Sequence, residues 1–264
     1  MRFKLTFQMD GKKDENCIPI SYQYELSSWI YRIIHSGDAA SSAWLHNKGY
    51  TLGNKTFRLF TFSRLQLPKG SFEIKDDRMV LKNSNVILYI SFLIDSAAEP
   101  FIIGLFNNRE MSLGDHKSNA EFLVKTIERL SDPEFRETMG FRLLSPLVIN
   151  SFDGKYGKYL RPDESGFEAL FFRNLVNKYT ASALFRGDPV HIDDVQKDPV
   201  TRFELLSEPK SKLVQIRTGT PQETNVRWFM FDFRITSPVE LIKTGYDGGF
   251  GEKNSLGFGC GIVK

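Results

Sequence analysis

Two kinds of hydrophobic periodicity follow one another in the same order in both halves of the chain, and this restricts the fold more than any other feature. Arg2–Gln8 alternates polar and apolar with period two and reads as a strand. Leu26, Trp29, Ile30, Ile33 and Ile34 then recur at helical spacing, with Tyr31 and His35 on the flank of that stripe. Gly37-Asp38 closes this helix. Asp38 is placed to cap a second helix, Ala39 to Lys48, which carries Trp44, Leu45 and His46 and ends at Gly49. Thr56–Arg64 reads as a strand, with Phe57, Leu59 and Thr61 on one face and Arg58, Phe60 and Phe62 on the other. Ser71–Lys75 and Met79–Leu93 read as further strands about a turn at Asp76-Asp77. Ser96-Ala97-Ala98-Glu99 has the form of a capping box, opening a helix to Asn107 with Ile102, Ile103 and Phe106 inward. Ala120–Leu130 fits both periods and stays open between helix and strand.

The polar stretch Ser131–Gly140, with Pro133 and Gly140, reads as a boundary, and the order then repeats. Phe141–Asn150 is a strand, and Asp163–Phe185 is a helix with Phe167, Leu170, Phe171, Val176 and Tyr179 inward. Arg202–Leu206, Lys212–Thr218 and Asn225–Thr236 are strands. Ser237-Pro238-Val239-Glu240 supplies an N-cap, a proline at the first helical position and the box glutamate of a short helix. A glycine-rich loop and a last strand, Leu256–Val263, follow. With Ala120–Leu130 taken as a strand, each half is βαββαβ, the first helix of the first half being doubled. That is an α+β chain of two tandem ferredoxin-like (RRM-like) domains, residues 1–132 and 140–264. Sheets of this kind serve many functions, so fold alone does not choose among them.

Composition narrows the classes. Of 264 residues, 35 are Lys or Arg and 32 Asp or Glu, and only two are cysteines, Cys17 and Cys260. A disulfide scaffold and a thiolate-rich metal site are therefore excluded. The N-terminus alternates like a strand rather than carrying a leader's apolar run. The longest apolar stretch, Val86 to Ile94, is broken by Ser91 and falls far short of the ~20 residues of a membrane span. A cytoplasmic protein without a membrane partner is expected. Residues 1–130 hold 17 basic and 14 acidic side chains, whereas residues 131–264 hold 18 of each. Within the first half, Ala39 to Phe72 contains Lys48, Lys55, Arg58, Arg64, Lys69 and His46 and no carboxylate over 34 residues. Such a surface attracts a polyanion, because each Lys or Arg displaces counterions from phosphates; a solvated basic face without a partner is the alternative.

Seven glycines fall in the 17 residues from Gly245 to Gly261. No Gly-Lys-Ser/Thr closes the run and no strand-to-helix crossover follows it, so it is neither a P-loop nor a dinucleotide fingerprint. Glycine admits positive φ and close backbone approach, which suits either a loop lying against a phosphate chain or one packed between two domains. Gly245-Tyr246-Asp247-Gly248-Gly249-Phe250-Gly251-Glu252-Lys253-Asn254-Ser255-Leu256-Gly257-Phe258-Gly259 closely resembles the C-terminal glycine-rich signature of the CRISPR-associated RAMP endoribonucleases. Leu26–Ile34, Trp44-Leu45-His46, Phe57–Ser63 and Leu144-Ser145-Pro146-Leu147 agree with that resemblance, which covers the whole chain. It implies cleavage of repeat-containing precursor RNA into guide RNAs, and it favours the strand reading of Ala120–Leu130.

Metal-assisted hydrolysis is disfavoured: His35, His46, His116 and His191 are scattered, and Asp163-Glu164 and Asp193-Asp194 lie away from the basic window. Neither a metal nor a cofactor is expected. RNA offers its own nucleophile, the 2′-OH, whose in-line attack leaves a 2′,3′-cyclic phosphate and a 5′-OH. A histidine can move the protons, and a Lys or Arg can stabilise the nonbridging oxygens. His46 lies inside the acid-free window, and the resemblance places the family's catalytic histidine there. Tyr31 matches the family's helical tyrosine, and a half-buried anchor on the helix flank is its other reading. Arg58 stands directly before Leu59-Phe60-Thr61-Phe62, where members with a catalytic lysine carry it nearby; Lys55 is the alternative third member. Lys48, Lys155, Lys158, Arg161, Gly249, Gly251, Lys253 and Gly257 are the candidate RNA contacts. Repeat RNA is the expected partner. A weakly active or inactive repeat-RNA-binding protein, or a structural subunit of an RNA-guided effector complex, is the rival function. Effector subunits and a second copy of the chain are the other candidate partners.

Overall fold

A computed structural model describes residues 1–9, 16–82, 84–152, 157–189, 201–216 and 223–264. Two antiparallel sheets carry the chain's two halves. In the first, the order across the sheet is Phe60–Phe62, Asn85–Phe92, Arg2–Met9, Asn119–Leu130 and Glu110–Gly114. In the second it is Arg202–Leu205, Asp232–Thr236, Thr138–Leu143 and Gly261–Val263. Counting only the strands of the βαββαβ unit, both sheets run fourth, first, third, second, so the tandem ferredoxin-like architecture is present and Ala120–Leu130 is a strand. The helices are α1 (Gln23–Gly37), α2 (Ala39–Asn47), α3 (Asp95–Asn107), α4 (Phe167–Arg186) and α5 (Val239–Gly248). Leu26, Trp29, Ile30, Ile33 and Ile34 of α1 are buried against the first sheet, as their spacing requires.

Helix α1 meets α3 backbone to backbone. A Cβ on Gly37 would lie 1.9 Å from Pro100 O, and one on Gly104 1.8 Å from Ile33 O. This contact sets the rotation of α3 and corrects the sequence reading. Ala98, Phe101 and Leu105 face inward, Ile102 is only partly buried, and Ile103 and Phe106 are 50% and 66% exposed. The capping box also fails, because α3 begins at Asp95 behind Ile94 and no side chain caps it. Helix α5 likewise starts after Pro238 with no side-chain cap; Ser237 Oγ turns instead to Pro238 O at 3.3 Å.

Several long strand readings break where the backbone turns. Thr56–Arg64 is not one strand: Lys55–Phe57 pairs with Tyr50–Leu52 in a hairpin, and only Phe60–Phe62 joins the sheet. Between them Leu59 adopts φ 50°, in the left-handed region, with its side chain buried. A branched apolar residue holds that conformation only under tertiary constraint, here burial and the bond from Leu93 N to Leu59 O at 2.9 Å. Met79–Leu93 divides into Arg78–Leu81 and Asn85–Phe92, which belong to different sheets. Phe141–Asn150 ends as a strand at Leu143, and Asn150–Phe152 pairs separately with Gly157–Tyr159. Asn225–Thr236 divides into Thr224–Met230, paired with Lys210–Ile216, and Asp232–Thr236 in the main sheet. At the end of the chain only Gly261–Val263 is strand, since Asn254–Leu256 winds as a 3₁₀ turn. Among the described residues, no helix is long and apolar enough to cross a membrane.

Candidate active site and the glycine-rich junction

Helix α2 is fixed at both ends. At its start the Asp38 carboxylate accepts from the Ala40 and Ser41 amides at 2.9 and 3.2 Å, which is the cap expected from the sequence. At its far end Arg58, two residues before the chain enters the sheet at Phe60, reaches back. Its Nη2 donates to His46 O at 2.6 Å and its Nη1 to Lys48 O at 3.4 Å. These carbonyls are among the acceptors that a helix end leaves without an internal donor, and a guanidinium suits them in charge and shape. The turn needs Gly49 at φ 63°, because a Cβ there would meet Arg58 Nη1 and Phe57 O at 2.5 Å.

His46 projects from this end, exposed, with Nδ1 3.1 Å from Asn47 Oδ1. Tyr31 of α1 stands edge-on to the imidazole, ring centroids 5.3 Å apart, and edge-on to buried Phe60 at 5.6 Å. The tyrosine ring is thus wedged between the core and the histidine, which limits where the imidazole can turn. Tyr31 meets the His46 ring and Arg58 meets the His46 main chain, so the three residues gather at this end of α2. Lys48 is exposed at the same helix end, and Lys55 is exposed on the adjoining hairpin.

The glycine-rich segment lies at the junction of the two halves. Arg2, fully buried, donates through Nη1 to Gly261 O at 2.7 Å and through Nη2 to Tyr246 O at 2.5 Å, with its guanidinium 3.5 Å over the Tyr246 ring. Thr61 Oγ1 donates to Phe258 O at 3.0 Å, Ser27 Oγ to Ser255 O at 2.6 Å, and Ser91 Oγ to the buried Asp247 carboxylate at 3.1 Å. Burial pushes the Asp247 carboxyl up. Beneath the loop, Lys178 of α4 donates from Nζ to Gly249 O, Gly251 O and Asn254 Oδ1, each at 2.6 Å. An ammonium has three N–H donors, and all three are engaged. Burial lowers the pKa of this amine to about 7.

Gly249, Gly251 and Gly257 are buried in this packing, and their positive φ angles and close neighbours account for glycine there. A Cβ on Gly251 would lie 2.6 Å from Val148 O, and one on Gly257 2.7 Å from the Phe62 ring. Nearby amides bond inward as well: Glu252 N to Val148 O at 2.8 Å and Gly259 N to Pro146 O at 2.7 Å. Lys253, at φ 57° between these turns, lines the surface beside them.

A cleft of about 360 Å³ opens between the first-half hairpin, α4 and this loop. Lys55, Arg58, Asn150, Arg173, Asn174, Asn177, Glu252 and Lys253 line it, and Arg58 joins it to the His46 cluster. The other predicted contacts lie elsewhere. Lys158 pairs with Glu164 at 2.8 Å, and Arg161 with Asp163 at 2.8 Å and Glu208 at 2.5 Å, around a separate shallow groove. Lys155, His191 and Asp193-Asp194 lie outside the described residues.

Arg2 and Lys178 escaped the sequence reading for different reasons. Arg2 sits on the polar face of its strand, which reads as solvent-facing until a second domain covers it. Lys178 carried a usable signal: it follows Phe167, Phe171 and Leu175 on the inward stripe of α4, where a cation needs internal partners.

Two family models divide the chain: CRISPR-associated protein Cas6, N-terminal, matches residues 17–128, and CRISPR associated protein Cas6, C-terminal, matches residues 130–262. The CRISPR-associated endoribonuclease Cas6 1 of Methanocaldococcus jannaschii is 31% identical, over 98% of this chain and 91% of its own. The CRISPR-associated endoribonuclease Cas6 of Pyrococcus furiosus is 29% identical, over 100% of this chain and 90% of its own. Among solved structures, a Cas6-related protein from Pyrococcus furiosus superposes with a TM-score of 0.77 at 27% identity, covering 100% of this chain and 98% of that one. The fold and these matches define a CRISPR-associated protein of the tandem ferredoxin-like type. More particularly, the chain belongs to the Cas6 family.

Proposed function

We propose that this protein is a metal-independent endoribonuclease that cuts CRISPR repeat RNA, with His46 as general acid or base. The observation that carries the reading is the edge contact of the Tyr31 and His46 rings, with Arg58 bonded to the His46 main-chain carbonyl and lining a cation-lined cleft. The 2′-OH attacks the adjacent phosphorus. The O2′–P bond forms as the P–O5′ bond breaks, one proton leaves O2′ and one reaches O5′. The products are a 2′,3′-cyclic phosphate and a 5′-OH. His46, exposed and within reach of a backbone lying over α2, moves one or both protons, a contribution of ~10²–10⁴-fold. Tyr31 holds the imidazole and offers its phenol to the 2′-OH. Arg58 keeps N–H groups beyond the two on His46 O and Lys48 O to face the phosphorane, and Lys55 and Lys48 add positive potential. Lys253 contacts the strand from the junction loop, and Lys158 and Arg161 from their separate groove.

Purified protein is incubated with repeat RNA in excess EDTA beside His46→Ala, and the product ends are mapped. One cut ending in a cyclic phosphate and lost in the variant is the expected result. Equal cutting by His46→Ala, or a requirement for divalent metal, overturns the assignment. The engagement of Arg58 with two helix-end carbonyls favours a second reading, a repeat-RNA-binding protein that cuts slowly; tight binding with intact RNA would establish it.

A further inference from the structure

One face of α4 lines the cleft beside the junction loop, through Leu170, Arg173, Asn174 and Asn177, which helical spacing brings to one side. Lys55, Thr56, Phe57 and Arg58 line it from the first half, and residues 252–255 of the junction loop complete it. The charged groups around it are Lys55, Arg58, Arg173, Lys178 and Lys253 against the carboxylate of Glu252. Lys178 gives all its donors to the junction, and Arg58 gives two of its five to the end of α2. Arg173 differs from both. It is exposed, and its side chain forms no ion pair or hydrogen bond with any described residue. The amide oxygens of Asn150 and Asn174 are closed to solvent and offer nothing to a base edge. Glu252 is half-buried, and burial pushes its carboxyl up against the opposing pull of the Lys253, Lys178 and Lys55 charges. What the cleft presents to solvent is therefore positive charge, and both halves of the chain contribute it.

We infer that Arg173 is a substrate-binding residue that holds a backbone phosphate of the RNA close to the cut, so that α4 of the second half grips the strand that His46 of the first half acts on. A guanidinium whose five N–H groups are all free matches the paired oxygens of a phosphate. Arg58 lines this cleft and also bonds the main chain of His46, so a strand with its cut phosphate at His46 continues into the cleft. Lys55 and Lys253 add positive potential there, while Arg173 makes the directed contact. Such a contact fixes the register of the strand and carries no base identity, because every nucleotide has the same phosphate. The inference rests on the repeat-RNA reading above and adds to it a residue of the second half and the kind of contact it makes.

The test measures binding of repeat RNA to the full-length chain carrying His46→Ala, which keeps the RNA intact, with and without Arg173→Ala. Arg136→Ala, on an exposed arginine that pairs with Glu134 and lies outside the cleft, serves as the control for loss of one positive charge. Arg173→Ala is expected to weaken binding about tenfold, as for a charged hydrogen bond, whichever bases stand near the cut. The slope of log Kd against log salt should fall by about 0.7, the value for one contact to a single strand. Neutral methylphosphonates are then placed at each position near the cut in turn. One of them should weaken binding to the parent protein and have no further effect on Arg173→Ala, since the same contact is lost either way. Binding and salt slope equal to those of Arg136→Ala, a loss that depends on base identity, or no methylphosphonate masked by Arg173→Ala overturns this inference alone. RNA neither bound by the parent nor cut by wild-type protein removes the repeat-RNA reading, and the inference with it.

Discussion

Replacing Lys178 by methionine tests the junction most directly, because opposing effects of similar size meet at one atom. The variant leaves Gly249 O, Gly251 O and Asn254 Oδ1 without their donor, at about 1–3 kcal/mol each. It also removes the cost of dehydrating an ammonium. A pKa moved by burial from 10.5 to about 7 corresponds to about 5 kcal/mol against the charged form. The two nearly cancel below pH 7, where the folded protein carries the charge, so the variant should differ little in stability at pH 6. Above pH 7 the folded amine releases its proton while the unfolded lysine keeps it up to pH 10.5. Unfolding then takes up a proton, and wild-type stability rises with pH relative to the variant by about 1.4 kcal/mol per unit. Urea unfolding of both proteins at pH 6, 7, 8 and 9 measures this, and a difference growing by about 2 kcal/mol between pH 7 and 9 is expected, the amine being half titrated at pH 7. A difference independent of pH would refute the reasoning, since it would mean that the three oxygens hold the ammonium charged throughout.

Three further outcomes are expected. Arg58→Ala should lower cleavage about 10–100-fold while weakening stability by only about 1–2 kcal/mol, because water can replace the guanidinium at the helix-end carbonyls but not at the phosphorane; parallel rate and urea curves separate the two. Tyr31→Phe keeps the edge contact with His46 and loses only the hydroxyl, so its cleavage rate, set beside that of Tyr31→Ala, divides positioning from phenol chemistry. Gly259→Ala should cost about 3 kcal/mol or more in a urea melt, since the residue sits at φ 76° and its Cβ would lie 1.8 Å from Phe250 O.

Elements whose burial is settled by their own neighbours were legible from the sequence. The stripe of α1 and the Asp38 cap of α2 follow from local spacing and short-range hydrogen bonds, and both stand as read. The boundaries of long strands were not legible, because β-branched and aromatic residues continue the pattern through bends that only a sheet partner imposes. Leu59 is the clearest case, as nothing in Phe57–Phe62 announces a left-handed leucine. The rotation of α3 escaped for a related reason: two apolar stripes overlap there, and the approach of Gly37 and Gly104 to the opposing backbone selects one.

By itself, then, the sequence determined the repeated order of elements, the acid-free basic window with His46 in it, and the glycine-rich segment. All are properties of composition and periodicity along the chain. Tertiary structure decided which of those residues meet. It turned Arg58 out of its strand onto the end of α2 and set Tyr31 against the imidazole. It buried Arg2 and Lys178 at a junction that the polar face of a strand and a lysine in a helix do not advertise. Such contacts join residues up to 259 positions apart. Their energy depends on how one domain covers the other, and no local pattern encodes that.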